Sequence, residues 1–493
     1  MRAGRDGQSR RGRRWQWFRL AGGGLAASLL AVTASGSALA TSASAGGARA
    51  HRAVLTSNVT PADVVPSDWA AYLNGAQHTS YSRTQTAITP ANARSLVRKW
   101  RFTVGAPYVA SPTVVGGSVY VGSSRGWFYK LSATTGKVLA RIYLGYQPRL
   151  TCAPNGVSAT ATVATDPANH ALTVYVTGAN GYLYALRSYN LSVEWRALVA
   201  LPSSRVNNYY NWSSPTVANG RIYLGLSSSC DRPLIRGGVV AFSQVSGRKL
   251  AQFFTVPAGP RNAGGSVWSS IGVGPGGEVF ATTGNGPAAR PQLDRSESIL
   301  KLGPVTLKLL GSFKVPAGQV GVDSDFGSSP VFFGNDVGAC NKNGAFYAVN
   351  RNTMKLAWSD QVAAATEDGS AACLAAPPFN GSDLFLAGGA TTVGGTAYKG
   401  SVEEVTASTG ALVWQTGLPG AVIGSPALDG AGLLTAGAYA GPPTGGIYFL
   451  NAATGALVYK LPGGLTFAQT VFARNWLFGA NKEGVTAWAV PSG

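Results

Sequence analysis

A strand opened by Ser-Pro, then Gly-rich turns, then a second strand ending in Thr-Gly recurs along most of this 493-residue chain. Ser111-Pro112 begins the first full copy, which passes through Ser118–Gly122 and Trp127–Leu131 to the turn Ala133-Thr134-Thr135-Gly136. The Ser-Pro step returns at Ser214-Pro215, Ser329-Pro330 and Ser425-Pro426, and the Thr-Gly turn at Thr409-Gly410 and Thr454-Gly455. A period of about forty to fifty residues holding four short strands is the signature of a β-propeller. One copy cannot bury its own apolar faces, so the copies must stack radially to make a core.

The copies fall at 111–145, 157–200, 211–257, 267–316, 326–363, 374–419 and 422–462, and a terminal segment, 466–490, holds only three strands' worth of sequence. Lys99–Val104 supplies the missing strand and joins the two ends of the chain, which removes edges that would invite aggregation. The reading is an all-β chain: a single eight-bladed β-propeller of four-stranded antiparallel blades, its ring closed by the N-terminal strand, with seven the alternative blade count. The 65 Gly and 27 Pro fit this because they fall at turns between alternating apolar runs.

Residues 1–40 read as a signal peptide. Seven arginines between Arg2 and Arg19 face the single acid Asp6, an apolar run follows to Leu39, and Ala38-Leu39-Ala40 suits cleavage. Ser9-Arg10-Arg11-Gly12 resembles a twin-arginine signal, although Arg13 stands where an apolar residue is preferred; the Sec route and an uncleaved anchor are the alternatives. Residues 41–65 read as a flexible linker and 66–493 as the propeller. The leader accounts for +6 of the net charge of +20, leaving +14 on the rest. An exported, extracellular or envelope-associated protein of that charge is attracted to anionic cell-wall polymers or lipid headgroups. Nucleic acid is excluded as a partner because the bases are scattered and no recognition motif organises them.

Cys152, Cys230, Cys340 and Cys373 all follow the leader, which favours disulfides. Of three possible pairings, Cys152–Cys230 and Cys340–Cys373 each link neighbouring blades. No Cys-x-x-Cys-His occurs, so covalent haem is excluded, and only three histidines are present to build a zinc site. Glu403-Glu404 lie in a strand pattern, where adjacent side chains point to opposite faces, so they cannot act as a facing catalytic pair. No Gly-x-Ser-x-Gly elbow or phosphate-cradling loop occurs.

The lead-in Asp68-Trp69 through Asn92-Ala93-Arg94-Ser95-Leu96, and the Ala-x-Thr-Gly turn followed by Trp414, resemble the eight-bladed quinoprotein alcohol dehydrogenases that bind pyrroloquinoline quinone (PQQ). The resemblance implies roles for particular residues. In Gly264-Gly265-Ser266-Val267-Trp268, Trp268 matches the ring on which the quinone stacks. Asn285, in Thr283-Gly284-Asn285, matches a calcium ligand, and calcium takes oxygen donors. Asp323, in Asp323-Ser324-Asp325-Phe326-Gly327, matches the general base and a metal ligand. Lys342 matches a basic residue that bonds the quinone oxygens. The family's blade-three Glu is missing from Ser227-Ser228-Ser229-Cys230-Asp231, and Asp231 is its shorter replacement as metal ligand.

Each residue has a plainer reading: Trp268 a core aromatic, Asn285 a turn residue, Asp323 and Asp325 turn caps, Lys342 an exposed loop lysine. Two functions are carried forward. One is an exported dehydrogenase oxidising an alcohol or sugar with PQQ and calcium and passing electrons to a separate acceptor. The other is a propeller without cofactor that binds or scaffolds a cell-envelope polymer or protein.

Overall fold

Short apolar strands joined by Gly turns assemble here into eight radial sheets. The computed structural model describes residues 64–491 except 104–109, 148–154, 201–208, 229, 232, 260–262, 321–322 and 366–371. The leader, nearly all of the linker and Cys152 therefore lie outside the described residues. No helix among those described is long and apolar enough to cross a membrane.

Blades 1–5 span 113–143, 162–198, 216–254, 272–314 and 331–361, each a four-stranded antiparallel sheet. Blade 7 spans 427–462, and its innermost strand Ala427–Asp429 pairs in parallel with Tyr81–Ser82 of the lead-in. Blade 8 takes three strands from 471–489 and its outermost strand, Val97–Phe102, from the N-terminal side, which is the expected ring closure. Blade 6 departs from four strands. Pro377-Pro378 has no N–H to give a ladder, so its innermost position is reduced to the bridge Phe379–Leu384. A hairpin of Thr391–Val393 and Thr396–Tyr398 is inserted between its next two strands.

The Ser-Pro step has a physical cause. Around the axis, the backbone N–H at each step donates to the hydroxyl of the next blade: Ser111 to Thr160, Thr160 to Ser214, Ser214 to Ser270 and Ser270 to Ser329, all at 2.9–3.0 Å. Ala376 donates to Ser425, and Gln469 to Ser111, at 3.0 and 2.9 Å. The ring is interrupted only where Ala376 and Gln469 replace the hydroxyl residue. Buried N–H groups that a radial sheet cannot pair are thus satisfied blade to blade.

The Thr-Gly turn works at the circumference. A bulge before each of Trp100, Trp195, Trp358 and Trp414 turns the indole toward the following blade. Trp358 Nε1 donates to Ala407 O at 3.0 Å, and a β-carbon at Gly410 (φ 72°) would lie 2.5 Å from its ring. Gly410→Ala should therefore cost about 1–3 kcal/mol through overpacking added to left-handed strain. Gly394→Ala, with φ 56° and open space around it, should cost only the strain, about 1 kcal/mol. Urea midpoints of the two variants check the difference.

Between blades the core is continuous, as where Phe333 and Phe346 meet Leu384 and Val405 across blades 5 and 6. Cys340 and Cys373 form the expected disulfide at that junction, with Cα atoms 5.1 Å apart. Cys230 is also disulfide-bonded.

The lead-in crosses one end of the axis. Ala70, Ala76, Gln77, Thr79 and Ser80 accept through their carbonyls from Val163, Val273, Phe332, Phe379 and Leu428, the innermost positions of blades 2, 4, 5, 6 and 7. Trp69 is fully buried and bridges Val114 of blade 1, and Asp68 pairs with Arg474 of blade 8 at 2.6 Å. Every one of these closing contacts lies within 61–493, which forms a compact unit on its own.

Candidate active site

In blades 2 to 8 the residue two before the axial step lines the axis, and in blade 4 it is Trp268, half-buried. With Tyr72, Trp212, Leu374 and Phe467 it lines an axial cavity of about 50 Å³, the size of a few waters and well below a ligand pocket of roughly 300 Å³ or more. The polar groups gather beside Trp268, on loops of blades 3, 4 and 5.

Asp323-Ser324-Asp325 leads into blade 5, held by Phe326 N–H to Thr283 O at 3.2 Å and by Asn341 Nδ2 to Ser324 O at 2.7 Å. Lys342 follows the strand Asp336–Cys340 and is buried. Its Nζ donates to Asp323 Oδ2 and Asp325 Oδ2, each at 2.8 Å, and lies 5.6 Å from the Trp268 ring centroid. Asp325 Oδ1 accepts from the Asn285 backbone N–H at 2.6 Å, which ties blade 5 to blade 4. Asp231, half-buried with φ 52°, accepts from Ser228 Oγ at 2.9 Å. Beside these, a surface groove of about 910 Å³ is lined by Arg290, Gln292, Leu293, Asp294, Ala317 and Val320.

Acids outnumber bases here, and the titrations follow from that. Burial alone would push the Lys342 ammonium down, but the Asp325 and Asp323 carboxylates more than reverse it, so its pKa is raised. Burial and then the Asp325 charge push Asp323 up to about 7. The same two causes push Asp231 up to about 6. Glu297, fully buried, is pushed up to about 7, chiefly by burial, with the Gln292 amide pulling the other way.

The structure brings Trp268, Asp323, Lys342 and the Asn285 backbone together. Lys342 is not an exposed loop lysine, and Asp323 and Asp325 do more than cap a turn. Asp231 feels Asp325 and Lys342 electrostatically, but its hydrogen bond goes to Ser228. Asp325 and Glu297 were not assigned roles from the sequence. The Asp-x-Asp spacing was a usable signal for the first, since residues two apart on extended backbone share a face. Nothing in Ser296-Glu297-Ser298 marks the second. Glu403 and Glu404 sit on the strand Gly400–Thr406; Glu403 accepts from Gln415 at 2.8 Å, and burial, with Asp360 of blade 5, pushes it up to about 9.

Asn285 Oδ1 and Asp323 Oδ1 are buried side-chain oxygens with no hydrogen-bond partner. Two unspent hard oxygens in a place with surplus carboxylate fit a hard cation such as calcium. The half-buried indole of Trp268, with the Lys342 ammonium 5.6 Å from its ring, offers a stacking face and a counter-charge to a flat anionic ring system, which the axial cavity of about 50 Å³ would have to widen to admit. Among the described residues no three His, Cys, Asp or Glu side chains converge as metal ligands.

Over residues 27–270 and 342–476 the chain matches the model of a family described as outer membrane protein assembly factor BamB. Among solved structures it is similar to the quinohemoprotein alcohol dehydrogenase of Comamonas testosteroni, with 17% identity over 86% of this chain and 80% of that one and a TM-score of 0.67. A europium-containing methanol dehydrogenase gives 16% identity over 84% and 90%, also at 0.67. BamB from Moraxella catarrhalis gives 12% identity over 80% and 97%, at 0.53. No curated protein matches the chain. At these identities the likenesses speak for the fold.

Proposed function

This chain belongs to the family of PQQ-type β-propeller repeat proteins, and from that premise we propose that it is a quinoprotein-like dehydrogenase. It would oxidise an alcohol or sugar outside the cytoplasm and pass electrons to a separate acceptor. The observation that carries this reading is the state of Asp323, with Oδ2 tied to a buried ammonium and Oδ1 buried and unbonded.

Trp268 would lie against the quinone, Lys342 would meet its oxygens, and Asn285 Oδ1 and Asp323 would hold the cation. When bound, the quinone supplies a hydride acceptor and the cation polarises it. The chain's own residues do the rest. Lys342 fixes Asp323 through Oδ2, and of the lone pairs left on Oδ1 one would face the cation and the other would take the proton of a substrate hydroxyl. Asp325 holds Lys342 from the other side and, through the Asn285 N–H, keeps the two blades in register. Trp268 and Leu374 would present apolar surface to the reacting carbon.

The test is reconstitution with PQQ and calcium, followed by dye-linked oxidation of a panel of alcohols and sugars. The base must be ionised, so kcat/KM should rise with pH as Asp323 loses its proton, a titration that burial moves up and a bound cation moves down. Asp323→Ala should lower kcat by roughly a hundredfold to ten-thousandfold. Turnover unchanged in Asp323→Ala would remove the assignment.

A further inference from the structure

Between Trp69 and Thr165 the sequence has no Asp or Glu, against ten Lys and Arg. This stretch builds the lead-in, the outermost strand of blade 8 and all four strands of blade 1. Trp100 Nε1 donates to Ala133 O at 2.8 Å, which sets the outer parts of those two blades side by side. Arg98, Lys99 and Arg101 are exposed on Val97–Phe102, and Lys137 and Arg141 are exposed on or beside Val138–Tyr143. Among the described residues only Arg101 of these five has an acid partner, Glu483 at 3.3 Å.

The bases are interleaved with large apolar side chains facing solvent. Val97 is 42% exposed, Val138 45%, Leu139 53% and Tyr143 52%. Charges alone would suit any polyanion. Aliphatic and tyrosyl side chains set between arginines and lysines suit a headgroup layer, where the bases meet phosphates and the apolar groups reach the acyl boundary.

We propose that the side wall formed by the outermost strands of blades 8 and 1 docks the propeller on an anionic lipid bilayer. The wall lies at the circumference and the candidate active site beside the axis, so this inference stands independently of the dehydrogenase reading.

Residues 61–493, the compact unit containing the contacts that close the ring, would be floated with phosphatidylcholine vesicles, plain or containing about a third phosphatidylglycerol, at about 0.1 M salt. Protein should rise with the anionic vesicles and stay down with the neutral ones. Joint reversal of Arg98, Lys99, Lys137 and Arg141 to Glu should lower partitioning at least about tenfold. Reversal of Arg248 and Lys249, exposed on blade 3, should leave it unchanged. Leu139→Ser with Tyr143→Ser, both at exposed positions, should lower it at unchanged charge, and this pair keeps the test decisive if the fourfold variant does not fold. Equal partitioning to neutral vesicles, or equal loss from the blade 3 reversal, would overturn the proposal. So would lipid binding that is indifferent to the Leu139 and Tyr143 changes and fully displaced by soluble polyphosphate. That last pattern would assign the wall to an anionic polymer such as a cell-wall component.

Discussion

Lys342→Met is expected to destabilise the propeller by about 3–5 kcal/mol at pH 8, because it leaves Asp323 and Asp325 buried without their shared counter-charge. The cost should shrink at pH 5, and the sign follows from linkage. Asp323 already has a folded pKa of about 7, above the ordinary 3.8, so the folded state holds more protons than the unfolded chain between those values. Stability from this source is full below about pH 4 and is lost as the pH rises through about 7. Removing the ammonium raises Asp323 further and steepens the loss. Denaturant midpoints of wild type, Lys342→Met and Lys342→Arg at the two pH values check this. Lys342→Arg, which keeps the charge, should recover most of the stability at pH 8. A cost for Lys342→Met that does not change with pH would mean that lost packing, not unpaired charge, is responsible.

Removing the chain up to Phe102 is expected to abolish the soluble monomer. The strand Gly484–Ala489 would lose its partner along Val97–Phe102 and become an open edge, and the inner strands of five blades would lose the carbonyls that the lead-in offers them. A milder version isolates the axial part. Trp69→Ala should cost about 3–5 kcal/mol, since the side chain is fully buried and its Nε1 has no hydrogen-bond partner, so packing is all that is lost. Size-exclusion chromatography reads the truncation and denaturant unfolding the point variant. A truncated chain that remains monomeric and folded would show that the ring holds without its N-terminal strand.

The blades were legible because their signals are local and periodic. Ser111, Ser214, Ser329 and Ser425 recur at every second blade, and each hydroxyl accepts the N–H of the preceding blade's step. The closing strand was legible by subtraction, from a terminal segment one strand short. The path of 67–85 across the axis was not. It has no period, and Leu73, Asn74, His78 and Ser80 adopt positive φ that only the surrounding blades can impose. Blade 6 hid its missing strand in Pro377-Pro378, which the repeat count passed over. At the site, Trp268, Asn285, Asp323 and Lys342 were reached through family resemblance and order along the chain. The burial of Glu297 depends on how neighbouring blades meet, which no local pattern encodes, whereas the Ser228 bond of Asp231 spans only three residues of one loop.

The most direct test of the central claim is equilibrium titration of residues 61–493 with PQQ, with and without calcium, followed by tryptophan fluorescence. Saturable quenching that is strengthened by calcium and lost in Trp268→Ala is the expected result. No binding at high micromolar PQQ with calcium present would contradict the dehydrogenase reading and leave a propeller that binds or scaffolds without a cofactor.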